Sequence, residues 1–206
     1  MRPPLLALVF ALLLATPLKI TVDTSDAPDL APWAAEAKAL VETWHPKIAA
    51  LLASDNFTPP SAIFMTYKKN FNGVAATSAS KILIAASWVR DHPEDKGMIV
   101  HELVHVIQSY PPSHAGWLVE GIADYIRFFH FEPQTKLILD NPAKAGYRDG
   151  YRTTALFLAW IEKTHDKQII PTLNNALRQG AYRDEIFQQA THKSLDALWA
   201  EFIKSL

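Results

Sequence analysis

The chain has 206 residues, 49% of them hydrophobic, and its 20 Lys and Arg residues stand against 21 Asp and Glu residues. One domain of this size can bury a large core without covalent staples. The net charge of −1 argues against a nucleic-acid-binding protein, which needs a concentrated basic face. The absence of cysteine excludes disulfides and thiolate chemistry and leaves the compartment undecided.

The N-terminus has the features of a secretory signal peptide. Met1 and Arg2 precede an apolar run from Leu5 to Ala15, which is shorter than the roughly 20 residues of a membrane span and ends at Thr16. We predict a signal peptide over residues 1–15 and therefore a protein that is secreted or periplasmic. No stable membrane span is expected, and an uncleaved anchor is the alternative.

The segment after the signal peptide predicts a small sheet and a long helix. Residues 19–22 alternate like a strand, and apolar residues recur at helical spacing over 31–52. Residues 62–67 and 81–89 are rich in β-branched and aromatic types, which favours two further strands. A turn at 91–94, with a proline suited to a helix start, then leads into the most informative part of the chain.

Residues 101–105 read HELVH and match the pattern H-E-x-x-H, on a helix that we predict to end near residue 110. His101 and His105 are four residues apart and share one helix face, so both rings can reach one metal ion. Glu102 lies beside them and can accept a proton from a metal-activated water. The neighbouring residues are apolar nearly all round, which indicates a buried helix. Because buried imidazole and carboxylate groups need partners, a zinc ion (Zn²⁺) explains all three polar residues together.

A second helical segment, over residues 116–130, offers the third metal ligand. Glu120 would complete a His-His-Glu set, the ligand pattern of catalytic zinc with a fourth position left for water. Asp124 lies one turn further along the same face and could accept the spare ring N–H of a ligand histidine. We therefore predict Glu120 as the third ligand and Asp124 as a support for the histidines, with direct ligation by Asp124 or by His114 as the alternatives.

The C-terminal half is predicted to be mostly helical. Helical spacing recurs over residues 151–164, 167–179 and 183–205, and no repeat, linker or low-complexity tract is present. The fold class is expected to be α+β: a small mixed sheet, an active-site helix and a helical C-terminal half, with the cleft between the two halves. One domain is expected over residues 19–206.

Several stretches together carry a family resemblance. They are residues 73–75, 81–86, 101–108, 118–127, 149–151, 154–158 and 195–199. Many zincins share H-E-x-x-H, but its combination with Glu-Gly-Ile-Ala-Asp-Tyr at 120–125 and Gly-Tyr-x-x-Thr-Ala at 150–155 is much more specific. On these residues the chain resembles the basic secretory protein family of plants and bacteria, which implies a zincin-like peptidase with a gluzincin-like metal site, used outside the cell. It departs from the family in charge, because it is not basic.

The motif and the resemblance predict a secreted zinc-dependent metallopeptidase that acts on peptide or protein substrates. In this reaction Glu102 takes a proton from water and later passes it to the leaving amine. The tetrahedral intermediate also needs a donor for its negative charge, and Tyr151, in a stretch shared with the family, is our candidate. His114 and Tyr125 are alternatives, and Tyr151 could equally be an aromatic residue that only packs on the core.

Substrate binding and the exact activity stay open at the level of sequence. Lys81 to Ser87 could form a sheet edge to which a peptide adds, or could be an interior strand, because periodicity does not distinguish the two. Trp88 and Trp117 could line an apolar subsite or belong to the core. The protein is expected to be a monomer. The competing functions are a non-catalytic zinc-binding or defence-type protein on the same scaffold, and another amide or ester hydrolase.

Overall fold

The structure is a computed structural model, and it describes residues 17–112 and 114–206. The predicted signal peptide lies outside the described residues. The strands are β1 (Lys19–Asp23), β2 (Ala62–Lys68), β3 (Ala75–Ser78) and β4 (Lys81–Ala85). The helices are α1 (Ala31–Leu51), α2 (Ala86–Asp91), α3 (Gly97–Gln108), α4 (Gly116–Ile126), α5 (Tyr151–Thr164), α6 (Ile169–Arg178), α7 (Glu185–Thr191) and α8 (Leu195–Lys204). The predicted α+β class, with a helical C-terminal half, is confirmed.

The sheet is small and mixed, as predicted. Its strand order is β1-β2-β4-β3, with β1, β2 and β4 parallel and β3 antiparallel to β4. Side chains of β2 and β4 alternate between a buried and an exposed face, so the sheet covers the core with one face only. The buried members are Ile63, Met65, Tyr67, Ile82, Ile84 and, at the end of β4, Ala85.

The structure corrects the possibility that residues 81–87 form a sheet edge. β4 pairs with β2 on one side and with β3 on the other, so it is an interior strand. It ends at Ala85 instead of continuing to residue 89, and α2 begins at Ala86. The two edge strands are β1 and β3, and β3 is the one that contacts α3. The sequence did not predict β3, because its four residues, Ala-Ala-Thr-Ser, have no distinctive apolar alternation.

Two helix boundaries also differ from the predictions. The predicted helix over 183–205 is two helices, α7 and α8, because His192 adopts a left-handed conformation with φ of 60°. Ser194 then starts α8 as its N-cap, since its hydroxyl accepts a hydrogen bond from the Ala197 N–H. α4 ends at Ile126 and continues as a short π-helical segment, Arg127–Phe131.

A glycine brings α4 and α5 into close contact beside Glu120. A Cβ atom added at Gly121 would lie 2.2 Å from Cγ2 and 2.6 Å from Cβ of Thr154, which is fully buried. The Thr154 side chain cannot rotate freely, because its hydroxyl donates a hydrogen bond to the Tyr147 carbonyl at 2.8 Å. Only glycine therefore fits at position 121 without a shift of Thr154.

We expect Gly121→Ala to lower the free energy of unfolding by about 1–3 kcal/mol, the usual cost of overpacking a core. Gly116→Ala is the matched control, because no atom lies within 4 Å of the added Cβ and the residue is also in α4. The control should be neutral or stabilising by up to about 1 kcal/mol. Urea unfolding of both variants measures the difference, and equal stabilities would contradict the close contact.

Within residues 17–112 and 114–206, no helix combines the length and the apolar character that crossing a membrane requires.

Candidate metal centre

Three side chains converge at one point between α3 and α4. Nε2 of His101 lies 3.0 Å from Nε2 of His105 and 3.2 Å from Oε2 of Glu120, and the His105 to Glu120 distance is 3.3 Å. Four ligands placed tetrahedrally at about 2.1 Å from a metal would be about 3.4 Å apart. The donor set and its spacing therefore fit one tetrahedral metal ion, with three protein ligands and one position left over.

The local sequence explains this convergence. Eleven of the twelve residues of α3 are buried, and His105 is half-buried at the inner wall of the cleft. Because the helix is fixed on nearly all sides, its two imidazoles are held one turn apart on the face that meets α4. α4 is also apolar and buried over most of its length, and it brings Glu120 to the same point.

Asp124 lies on the far side of the His101 ring. Its Oδ1 is 2.7 Å from Nδ1 of His101, and both residues are buried. Nδ1 and Nε2 lie on different sides of the ring. The ring of His101 therefore separates Asp124 from Glu120 and His105, which lie on the Nε2 side. Asp124 can accept the Nδ1–H and so present Nε2 as the metal-binding nitrogen. His114 is exposed on the turn before α4 and is not a member of the converging group.

Gln108 supports the second histidine, a role that the sequence analysis missed. Its Oε1 lies 2.8 Å from Nδ1 of His105, and its Nε2 donates to the carbonyl oxygen of Val119 at 2.9 Å. The residue is almost completely buried. It therefore ties α3 to α4 directly beside Glu120. Its position three residues after His105 was a usable signal, because side chains at i and i+3 are neighbours on a helix.

His101 and Glu120 each shift the pKa of the other. Burial by itself lowers the pKa of His101, but hydrogen bonds to Asp124 and Glu120 outweigh it and raise the pKa to about 9. Burial by itself raises the pKa of Glu120, but hydrogen bonds from His101 and His105 outweigh it and lower the pKa to about 2. At neutral pH the metal-free protein therefore holds an ionised Glu120 and a positively charged His101, whose ring carries a proton on both nitrogens.

We expect metal affinity to rise with pH, because a metal ion must displace the proton on Nε2 of His101. His101 is protonated below pH 9, so the apparent affinity for zinc should increase about tenfold per pH unit between pH 6.5 and 8. Titration calorimetry in two buffers of different ionisation enthalpy should show about one proton released per ion at pH 7. Affinity that does not change with pH would contradict this charge state.

Glu102 is buried on the neighbouring face of α3, and its carboxylate lines the cleft. Its Oε2 accepts a hydrogen bond of 2.7 Å from the hydroxyl of Thr77 on β3. Thr77 was not predicted as a site residue, because β3 was not predicted and nothing in the local sequence connects this strand to the metal helix.

Tyr151 stands at the mouth of the centre. Its ring is nearly parallel to that of His101, with the centroids 6.1 Å apart, and the residue is 55% exposed. The negative charge of Glu120, followed by partial burial, raises the pKa of Tyr151, so the phenol stays protonated and can donate. Its φ of 44° is unusual for an aromatic residue, and it follows Gly150, whose φ is 76°. The hydroxyl of Tyr125, by contrast, donates to Glu162 at 2.7 Å.

The centre opens into a cleft of about 1660 Å³. Residues of β3 and α3 line it from the N-terminal half, and residues within 135–145 and at the start of α5 line it from the C-terminal half, so the cleft lies between the two halves of the molecule as predicted. Trp88 lines the cleft, with its Nε1 donating to Asp95 at 3.0 Å. Trp117 instead packs in the core against Tyr182 and Phe187.

Comparisons with curated proteins and with solved structures give no match. A family model described as "Peptidase of plants and bacteria" matches residues 29–202. The match extends from before α1 into α8 and includes the converging histidines, Glu120, Glu102 and Tyr151. The chain therefore belongs to the basic secretory protein family, the peptidases of plants and bacteria.

Proposed function

We propose that this chain is a secreted zinc-dependent metallopeptidase. The observation that carries the proposal is the convergence of His101, His105 and Glu120, with the carboxylate of Glu102 beside them in an open cleft. Two imidazoles and one carboxylate form a ligand set typical of catalytic zinc sites. The family description supports action on peptide bonds.

The mechanism assigns a separate task to each group. When bound, the metal would lower the pKa of a water molecule and polarise the scissile carbonyl group. Glu102 accepts the proton of the attacking water and later donates it to the leaving amine. Asp124 and Gln108 hold the two imidazoles by their Nδ1 atoms, so both Nε2 atoms stay directed at the centre.

Tyr151 is proposed to donate a hydrogen bond to the oxyanion of the tetrahedral intermediate. We expect Tyr151→Phe to lower kcat by about 100-fold, the typical loss for one such donor, and to leave metal content unchanged. Tyr182→Phe is the control, because that phenol bonds to Asp184, outside the residues that line the cleft. A Tyr151→Phe variant with wild-type kcat would reduce Tyr151 to a packing residue.

The edge strand β3 is proposed to bind the peptide backbone. The N–H of Ala85 donates to the carbonyl of Val74 at 3.0 Å, so Val74 and every second residue after it bond to β4. Ala75 and Thr77 then direct their main-chain N–H and C=O groups to the open side of the sheet. An extended peptide can add there by main-chain hydrogen bonds.

Export is proposed to depend on residues 1–15. N-terminal sequencing of the exported protein would identify the cleavage site, and retention of Met1 in a membrane fraction would favour the uncleaved anchor.

The proposed activity is tested by measuring zinc content and casein hydrolysis of the purified mature chain. We expect about one zinc ion per chain, loss of hydrolysis after chelation, and recovery when zinc is restored. A protein that binds zinc but cleaves no peptide would be the non-catalytic zinc-binding protein instead. Turnover of simple esters without cleavage of peptides would indicate a different hydrolase on the same scaffold.

A further inference from the structure

One side chain of β3 reaches the metal helix. The Thr77 hydroxyl lies 2.7 Å from Oε2 of Glu102 and 3.1 Å from the carbonyl oxygen of the same residue. A hydroxyl has a single hydrogen, so its main bond is to the nearer, charged oxygen. Thr77, on the edge strand β3, therefore holds the carboxylate of Glu102, which acts as the base in the proposed mechanism.

Little else fixes the carboxylate of Glu102. The residue is only 7% exposed, and Thr77 is the one hydrogen-bond donor to its carboxylate among the described residues. A buried carboxylate with one donor depends on that donor both for stabilisation of its charge and for its orientation. Oε1 has no hydrogen-bond partner in the described part of the chain, so one oxygen is held while the other stays available for proton transfer.

Thr77 also occupies a position of β3 whose main-chain N–H and C=O groups do not bond to β4. Its N–H and C=O point away from β4, by the alternation that the bond from Ala85 to Val74 establishes. The main chain of Thr77 is therefore on the side where a peptide would add, and its side chain is on the Glu102 side. One residue joins the substrate-binding edge to the base.

We propose that Thr77 is a positioning residue that holds the Glu102 carboxylate from the strand on which the peptide substrate lies. The inference rests on the proposed peptidase function. A peptide that pairs with β3 orders the main chain of Thr77, and the same residue then fixes the carboxylate next to the scissile bond.

The experiment compares Thr77→Val, Thr77→Ser and the control Thr43→Val in the mature, zinc-loaded protein. Valine has nearly the shape of threonine but no hydroxyl, and serine keeps the hydroxyl. We expect Thr77→Val to lower kcat by about 10- to 100-fold, the value of a hydrogen bond to a charged group. KM for a fluorogenic peptide should stay unchanged, because the main chain of β3 is unaltered. Thr77→Ser should restore most of kcat. Thr43→Val makes the same change on the exposed side of α1, outside the residues that line the cleft, and should match the wild type.

Crystal structures of the two Thr77 variants give a measurement that does not depend on turnover. The Glu102 carboxylate should leave its wild-type position in Thr77→Val and keep it in Thr77→Ser, with equal zinc content in both. An unchanged kcat in Thr77→Val, an equal loss in Thr77→Ser, or an unmoved carboxylate would overturn the inference. A wild-type protein that cleaves no peptide would overturn the proposed function itself, which the same assay detects separately.

Discussion

Glu102→Gln is expected to lower kcat by about 10²- to 10⁴-fold, the range for loss of a general base, while zinc content stays at the wild-type level. Glutamine has the shape of glutamate, and its amide oxygen can still accept the hydrogen bond of the Thr77 hydroxyl. It cannot accept a proton from water at neutral pH. The variant should also be no less stable, because it removes a charge from a site that is only 7% exposed.

Glu94→Gln is the matched control for this change. Glu94 is exposed on the turn before α3, so the same loss of charge at the surface should leave kcat and zinc content unaltered. Peptide hydrolysis and metal analysis on the three proteins check the result. Wild-type turnover in Glu102→Gln would remove Glu102 from the mechanism.

The second large effect concerns the third ligand. Residues that only support a metal ligand usually change metal affinity by about 10- to 100-fold when they are mutated. Glu120→Ala should lower zinc affinity by far more than this, because it removes a ligand. Asp124→Asn should fall within that smaller range, because asparagine can still accept the Nδ1–H of His101 but contributes no charge. Competition with a chromophoric chelator measures both affinities on one scale.

The comparison separates the two possible ligands. The structure places Oε2 of Glu120 on the Nε2 side of His101 and Oδ1 of Asp124 on the Nδ1 side. If Asp124→Asn lost its zinc while Glu120→Ala kept it, Asp124 would be the ligand and the proposed centre would be wrong in its third member.

Much of the candidate site could be predicted because its parts are local. His101 and His105 share a face by helical spacing alone, and so do Glu120 and Asp124. A helix that is apolar on nearly all sides is buried, and the polar groups that it carries therefore need partners. The α+β class followed in the same way from periodicity and from the turns between elements.

The rest depends on contacts between residues far apart in the chain, which periodicity does not encode. Which strands lie at an edge is decided by pairing, so β3 is an edge strand next to the metal helix and β4 is not. Thr77 reaches Glu102 across 25 positions of sequence. Asp124 faces one ring nitrogen of His101 and Glu120 the other because of how α4 packs on α3. Spacing thus determined which residues share a helix face, and tertiary packing decided the direction of each side chain, since direction depends on the partner that each one meets.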